Sequence, residues 1–198
     1  MAAALTKMDF EKEAFAIVSR FVNPNEREWH DYFSRLKLKV VKKNDLYLRE
    51  GEYGKKIGLV VKGAFRMFYT IKDEERCKDF QFEGQFTGSL YSFLSKQPSL
   101  FSVAAMEDSC LLEMSNDNLT DLFDRYKVWE RFGRLYLEQL FLYKERREAS
   151  LLFDSSTSRY QKLLKEKPAL LQRIPQKYIA SYLGIKPESL SRIRKQTK

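Results

Sequence analysis

Residues 176–195 read QKYIASYLGIKPESLSRIRK, and their spacing is that of two short helices joined by a tight turn. Ile179, Ala180 and Leu183 fall three and four apart, as one apolar helical face requires. Gly184 can take the positive φ that ends such a helix, and Pro187 suits the first turn of the next, where its missing N–H needs no partner. Leu190 and Ile193 continue the second apolar face. Small Ala180 lets two helices cross closely after a short turn. The pattern predicts a helix-turn-helix. A helical hairpin packed in a core has similar spacing, and charge separates the two readings.

Residues 151–198 carry eleven Lys and Arg against three Asp and Glu, a net of +8, whereas residues 1–150 carry 25 against 24. Nearly all the excess positive charge therefore surrounds the two-helix pattern. Neutralising DNA phosphates releases their condensed counterions, so a basic surface concentrated there is what a DNA reader needs. Merely solvated charge would be spread more evenly.

At 198 residues, 43% of them hydrophobic, the chain can build one large or two small cores. No stretch approaches the roughly 20 apolar residues of a membrane helix. Lys7, Asp9, Glu11 and Lys12 stand where a secretion signal needs an apolar run, so a cytoplasmic location without membrane contact is expected. Cys77 and Cys110 are too few and too far apart for a zinc or iron–sulfur site and are expected to be structural thiols. His30 is the only histidine, which argues against a His-built metal centre or catalytic triad. No cofactor is expected. Glu74–Glu75 and Glu107–Asp108 are paired carboxylates, but their polar neighbours predict solvated turns rather than acid–base work, and no enzyme is expected.

Phe10, Ala14, Ile17, Val18 and Phe21 repeat at helical spacing, and Asn25 with Glu28 resembles a capping box ahead of Trp29, Tyr32, Phe33 and Leu36. From Val40 to about Met114 the pattern turns to short strand-like runs, Ile57–Val61, Ala64–Tyr69, Cys77–Phe82 and Ser102–Met106, separated by glycines. Asn116 or Asp117 can cap the next helix. Apolar residues from Leu119 to Tyr143 then predict a long helical region, broken once near Tyr126–Val128. Its later part, Trp129–Leu152, is apolar on more than one face, which a second copy of the chain or a fully buried position within one subunit would satisfy. Asp154, Ser155 and Ser156 mark a hinge or cap before a short helix ending at Pro168. The organisation predicted is 1–116, an antiparallel β-domain with lead-in helices; 117–152, a helical linker and dimerisation helix; and 153–198, the helix-turn-helix.

This order, β-roll, long helix and C-terminal helix-turn-helix, resembles the cyclic-AMP receptor and fumarate–nitrate reductase regulator (Crp/Fnr) family. GEYGKKIGLVVKGAFRMFY (Gly51–Tyr69), EGQFTG and AAMEDSCLL carry the resemblance in the roll, with glycines at its tight turns. It implies an α+β chain with a cyclic-nucleotide-binding-type roll. It also implies a homodimer that sets two recognition helices in successive major grooves of a near-palindromic duplex operator, and it admits contact with RNA polymerase. An effector pocket would be drawn from Phe86, Gly88, Ser89, Leu90, Ser99, Phe101 and Ser102. Cyclic-nucleotide members place a Glu after the cassette Gly and an Arg further on. Here Ser89 holds the Glu position and Ser99 or its neighbours the Arg position, so a cyclic phosphate would lose its charged partners, and tight cyclic-AMP binding is not expected. An iron–sulfur member would need about four cysteine ligands, with N-terminal ones that are lacking here. Phe80, Phe82, Phe86, Tyr91, Phe93 and Phe101 could line a site for an apolar effector of unknown identity or simply form core.

Within the C-terminal motif, Glu188, Ser189 and Arg192 fall at the start of the second helix, where side chains reach base edges. Arg192 suits a guanine and Glu188 a cytosine amino group. Pro187 stands where many relatives have an arginine, so a different operator is expected. Gln176, Lys177, Ser181, Lys186, Arg194 and Lys195 are candidates for phosphates, although each lysine could equally be solvated. The chain ends soon after Ile193 without the strand pair that forms a wing in many relatives, and a smaller backbone grip is expected. A regulatory module acting through a small ligand or a protein partner is the alternative function.

Overall fold

The computed structural model describes residues 7–196. Helices α1 (Lys7–Val18) and α2 (Glu26–Ser34) lead in. Ala14, Ile17 and Val18 are buried on α1, while Phe21, expected on the same helix, lies in the turn beyond it. Asn25 opens α2 as expected: its side chain accepts from the Glu28 N–H at 3.0 Å and its own N–H donates to the Glu28 carboxylate at 2.8 Å. Two donors that a helix start leaves orphaned are thereby met.

The strands are β1 (Lys37–Val41), β2 (Leu46–Leu48), β3 (Lys56–Lys62), β4 (Phe65–Ile71), β5 (Glu74–Gln81), β6 (Phe86–Thr87), β7 (Ser102–Ala105) and β8 (Ser109–Ser115), with α3 (Leu90–Ser95) between β6 and β7. They form two antiparallel sheets, ordered β1-β8-β3-β6 and β2-β7-β4-β5. Val60, Phe65, Met67, Phe101 and Leu111 fill the space between the sheets, while Leu59, Val61, Leu112 and Met114 face the lead-in helices. Both faces of β3 are therefore covered, which is why IGLVV reads as an unbroken apolar run. The β3–β4 turn is possible only with glycine. Gly63 has φ +101°, and a Cβ there would lie 2.8 Å from the Ser109 Cα. Strand β5 carries a bulge, since Cys77 and Asp79 face consecutive Phe68 and Met67 and leave Lys78 as the extra residue.

Helix α4 (Asn116–Arg125) is capped by Ser115, not by Asn116 or Asp117, because the Asn116 amide turns away to donate to the Phe93 carbonyl at 2.9 Å. Extended Tyr126 (φ −137°, ψ 113°) closes α4 and opens α5 (Lys127–Phe153), the expected break. Trp129 and Phe132 bury the start of α5 on the roll's helical side, with Trp129 stacked on Tyr32 at 4.3 Å. Asp154 ends α5 and Ser155 caps α6 (Ser156–Glu166). Pro168, expected to end that helix, stands one residue beyond its cap and opens α7 (Pro168–Arg173), since its fixed φ suits a first turn. Helices α8 (Gln176–Tyr182) and α9 (Pro187–Gln196) complete the described chain.

The paired carboxylates are not simply solvated. The β4–β5 turn is Lys72–Asp73, both at positive φ, so Glu74 and Glu75 begin β5 and pair with Arg76 and Arg66. Asp108 pairs with Lys42, and Glu107 with Arg173. His30 is an exposed residue of α2. Both cysteines are free, and burial pushes the Cys77 thiol up to about 12. Among the described residues no helix is long and apolar enough to cross a membrane.

Candidate nucleic-acid interface and effector pocket

The α8–α9 unit is built as its sequence demands. The Ile185 N–H reaches the Ala180 carbonyl and the Gly184 N–H the Ser181 carbonyl, both at 3.0 Å, with Gly184 at φ +68°. These two bonds are those of a helix end that requires a left-handed residue. Ala180 is fully buried at the crossing with Leu183, Leu190 and Ile193. Pro187 opens α9, and its first turns present Glu188 and Arg192 to solvent, with Ser189 half-buried and accepting from the Arg192 guanidinium at 3.4 Å. Lys186 and Lys195 are exposed and Arg194 is half-buried on the same unit. Gln176 and Lys177 are exposed at the start of α8, the Lys177 ammonium lying 4.7 Å from the Tyr178 ring.

Ser181 is placed differently from the other candidates. Its hydroxyl accepts the Cys77 backbone N–H of β5 at 2.8 Å, so it holds the two-helix unit on the roll. Around it Tyr182 packs on Phe80 at 5.4 Å, and the Arg66 guanidinium lies between Phe68 and Tyr178 at 3.9 and 4.4 Å. The Tyr143 hydroxyl of α5 donates to Asp79 at 2.9 Å, lies 3.2 Å from the Tyr182 hydroxyl and accepts from Lys167 at 3.2 Å. Arg147 donates to the Tyr182 carbonyl at 2.7 Å and stacks on its ring. Arg173 grips Glu83 through two bonds and also reaches Glu107, joining α7 to two turns of the roll. None of these junction residues carries a sequence signal for the role, because each pairs with a residue more than 20 positions away.

The expected effector residues divide between two places. Phe86 and Leu90 line a small apolar cleft of about 70 Å3 against α5, with the Phe86 ring 5.0 Å from Tyr136. Phe101 is in the core between the sheets, where Ser99 and Ser102 are also buried. The polar groups are already satisfied within the chain. Ser89 caps α3, Ser99 donates to the Phe101 carbonyl at 2.7 Å, and Ser102 accepts the Glu50 N–H at 2.9 Å. Gly88 keeps φ +119° at the turn. A feature the sequence reading missed adjoins them: the bulge aims Lys78 inward, its ammonium 3.8 Å from the Phe101 ring centre and 5.5 Å from that of Tyr69. Burial, then the charge of Lys144 on α5, holds this ammonium down to about 8. Of the six roll aromatics, Phe80, Phe93 and Phe101 are core, the simpler of the two readings, and alternation sends them to different surfaces: Phe80 packs on Tyr182, Phe86 on α5 and Phe101 between the sheets, while Tyr91 is exposed.

Residues 38–126 match the family model described as the cyclic nucleotide-binding domain. Among solved structures, FixK2 from Bradyrhizobium japonicum is 17% identical with a TM-score of 0.69, covering 81% of this chain and 83% of that one. The c-di-GMP responsive global regulator CLP of Xanthomonas campestris is 18% identical with a TM-score of 0.68, over 87% and 91%. The catabolite activator protein of Thermus thermophilus is 20% identical with a TM-score of 0.58, over 91% and 85%. No curated protein sequence matches the chain. Residues 38–126 are thus similar to a cyclic nucleotide-binding domain, and the chain shares the fold of these regulators, as its sequence resemblance implied.

Proposed function

We propose that the protein is a homodimeric, sequence-specific DNA-binding transcription regulator that does not answer to cyclic AMP. The observation that carries DNA binding is α9, whose exposed first turns present Glu188 and Arg192 on a unit holding a net +8 in residues 151–198. A helix-turn-helix so charged reads base edges with its second helix and grips phosphates around it. Glu188, Ser189 and Arg192 are the readers; Gln176, Lys177, Lys186, Arg194 and Lys195 serve the backbone. Ser181 joins them only if the unit leaves β5.

The dimer reading rests on α5. Leu137, Phe141 and Leu152, which fall within one helical stripe, are 41%, 61% and 73% exposed, and Phe153 is 85% exposed. A second α5 would cover them, and the pair would present two α9 helices about one duplex turn apart. The cyclic-AMP reading rests on Ser89 and Ser99, which offer no charge and are already bonded internally, and on Lys78, which lies over Phe101. Calorimetric titration with cyclic AMP is expected to show no micromolar binding, and a saturable micromolar isotherm would refute that part.

Selection of bound sequences from a random duplex pool tests the function directly: the expected product is a near-palindrome with half-sites one turn apart. Within that site Arg192→Ala is expected to lose roughly 1–3 kcal/mol and relax preference at one base pair, while Lys195→Ala weakens all sequences alike and lowers the salt slope by about one. Gel-shift titrations on cognate and random DNA separate the two. Equal losses on both for Arg192→Ala would remove it from base reading.

A further inference from the structure

Helix α8 leads directly into α9, and Pro187 opens α9 four residues beyond Leu183, so whatever fixes the C-terminal end of α8 also aims α9. The last carbonyls of a helix have no partner within it. The turn meets two of them, since the Ile185 N–H goes to Ala180 and the Gly184 N–H to Ser181. The carbonyls of Tyr182 and Leu183 are taken instead by two arginines from outside the α8–α9 unit. Arg147 of α5 donates to the Tyr182 carbonyl at 2.7 Å, its guanidinium 3.6 Å from the centre of the same residue's ring. Arg159 of α6 donates through Nε to the Leu183 carbonyl at 3.0 Å and through Nη1 to the Asp154 carbonyl at 2.6 Å. Cations suit this end of a helix, where the carbonyls concentrate negative potential.

The bond to Asp154 gives the pair a purpose beyond capping. Asp154 and Ser155 are extended between α5 and α6, with ψ 142° and 156°, and a short extended link between two helices is a hinge that its own covalent bonds do not hold. Side chains hold it. The Asp154 carboxylate accepts from Ser150 of α5 and from Lys162 of α6, while Arg159 ties the hinge carbonyl to the end of α8. Arg147 makes a parallel tie from α5 itself. Strand β5 supports α8 along one side, through Cys77 and Phe80, and the two arginines grip its end from α5 and α6. A helix supported along one side can pivot on that contact, and a second grip at its end stops the pivot. Only a guanidinium, with several donors in a fixed fork, can reach two carbonyls at once as Arg159 does.

We infer that Arg147 and Arg159 are positioning residues that set the half-site spacing of the operator, by fixing α9 relative to α5. The inference rests on the reading of the protein as a DNA-binding dimer joined along α5. Neither guanidinium needs to touch DNA in this role. One base pair added between half-sites moves one of them by about 3.4 Å and turns it by roughly a tenth of a turn. A rigidly held pair of α9 helices cannot follow that offset, and a loosely held pair can.

The test measures the affinity of the full chain for the operator recovered by selection, for that operator with one base pair added or removed at its centre, and for a single half-site. The wild type is expected to lose about tenfold or more on either altered spacing, because the gain from linked half-sites vanishes where geometry forbids engaging both. Arg147→Ala with Arg159→Ala should bind the three spacings within about threefold of one another and keep the wild-type affinity for the half-site. Loss of a mere helix cap would weaken operator and half-site by the same factor and leave the spacing preference intact, and that result overturns the inference. If the double variant lacks the wild-type thermal transition, Arg159→Lys decides. It keeps the charge but cannot reach both carbonyls, so it should relax the spacing preference, and an unchanged preference overturns the inference. A wild type that binds no duplex refutes the DNA reading and this inference with it, whereas variants that keep the wild-type spacing preference refute the positioning role alone.

Discussion

Gly63→Ala is expected to destabilise the roll by roughly 3–5 kcal/mol, combining a conformation that side chains rarely adopt with overpacking against a neighbouring strand. Gly63 sits at φ +101°, and the new Cβ would meet the Ser109 Cβ at 2.6 Å and its Cα at 2.8 Å. A side-chain tip could swing aside, but the Cα belongs to β8, which is hydrogen-bonded to both β1 and β3. The strain can be relieved only by moving a central strand. Gly51→Ala is the matched comparison. It has φ +85° and nothing within 4 Å of the added Cβ, so it should show the conformational cost alone, about 1–2 kcal/mol. Urea unfolding of the two variants measures the difference. Equal midpoints would mean that the β3–β4 turn rebuilds itself around the methyl group.

The second large effect is expected from Phe141→Glu with Leu152→Glu. Two charges placed along the exposed α5 stripe should abolish dimerisation in sedimentation, while the roll keeps its thermal transition because neither side chain is buried in the subunit. Linking two half-site contacts is worth about 10²–10⁴ in overall affinity, and the double variant should lose that factor on a palindrome. On a single half-site it should bind as the wild type does. This comparison is the decisive one. A variant that remains dimeric, or a monomer that binds the palindrome undiminished, would refute the assignment of α5 as the dimer seam.

The architecture was legible because its signals are local. The capping box at Asn25 and Glu28, the break at Tyr126, and the Gly184 and Pro187 pair each depend on residues within a few positions of one another. The placing of Glu188 and Arg192 on the exposed first turns of α9 was legible for the same reason. What could not be read are pairings across long separations. Ser181 was assigned to phosphate from its position on α8, yet its hydroxyl meets a backbone N–H 104 residues away. That the roll aromatics can form core is legible, but not what each one packs on, because strand alternation does not say which surface each face meets. Phe80 is the clearest case, since its outward face meets Tyr182 rather than a pocket. Lys78 went unnoticed because a bulge in β5 has no sequence signature here, and only pairing with β4 shows that it is the extra residue.

That single extra residue also fixes the setting of the whole β4–β5 hairpin. Cys77 and Phe80, three apart, both face the α8–α9 unit, a spacing that a regular strand with its period of two cannot provide. Between them Lys78 turns to Phe101 and Asp79 to Tyr143. Removing one residue from this segment would exchange the occupants of the two sides over the first half of β5, bringing charge into the contact with α8 and the Cys77 thiol toward the roll interior. The ribbon therefore works like a keyed shaft: it fits its two neighbours in one rotation only, and the key is one amino acid long.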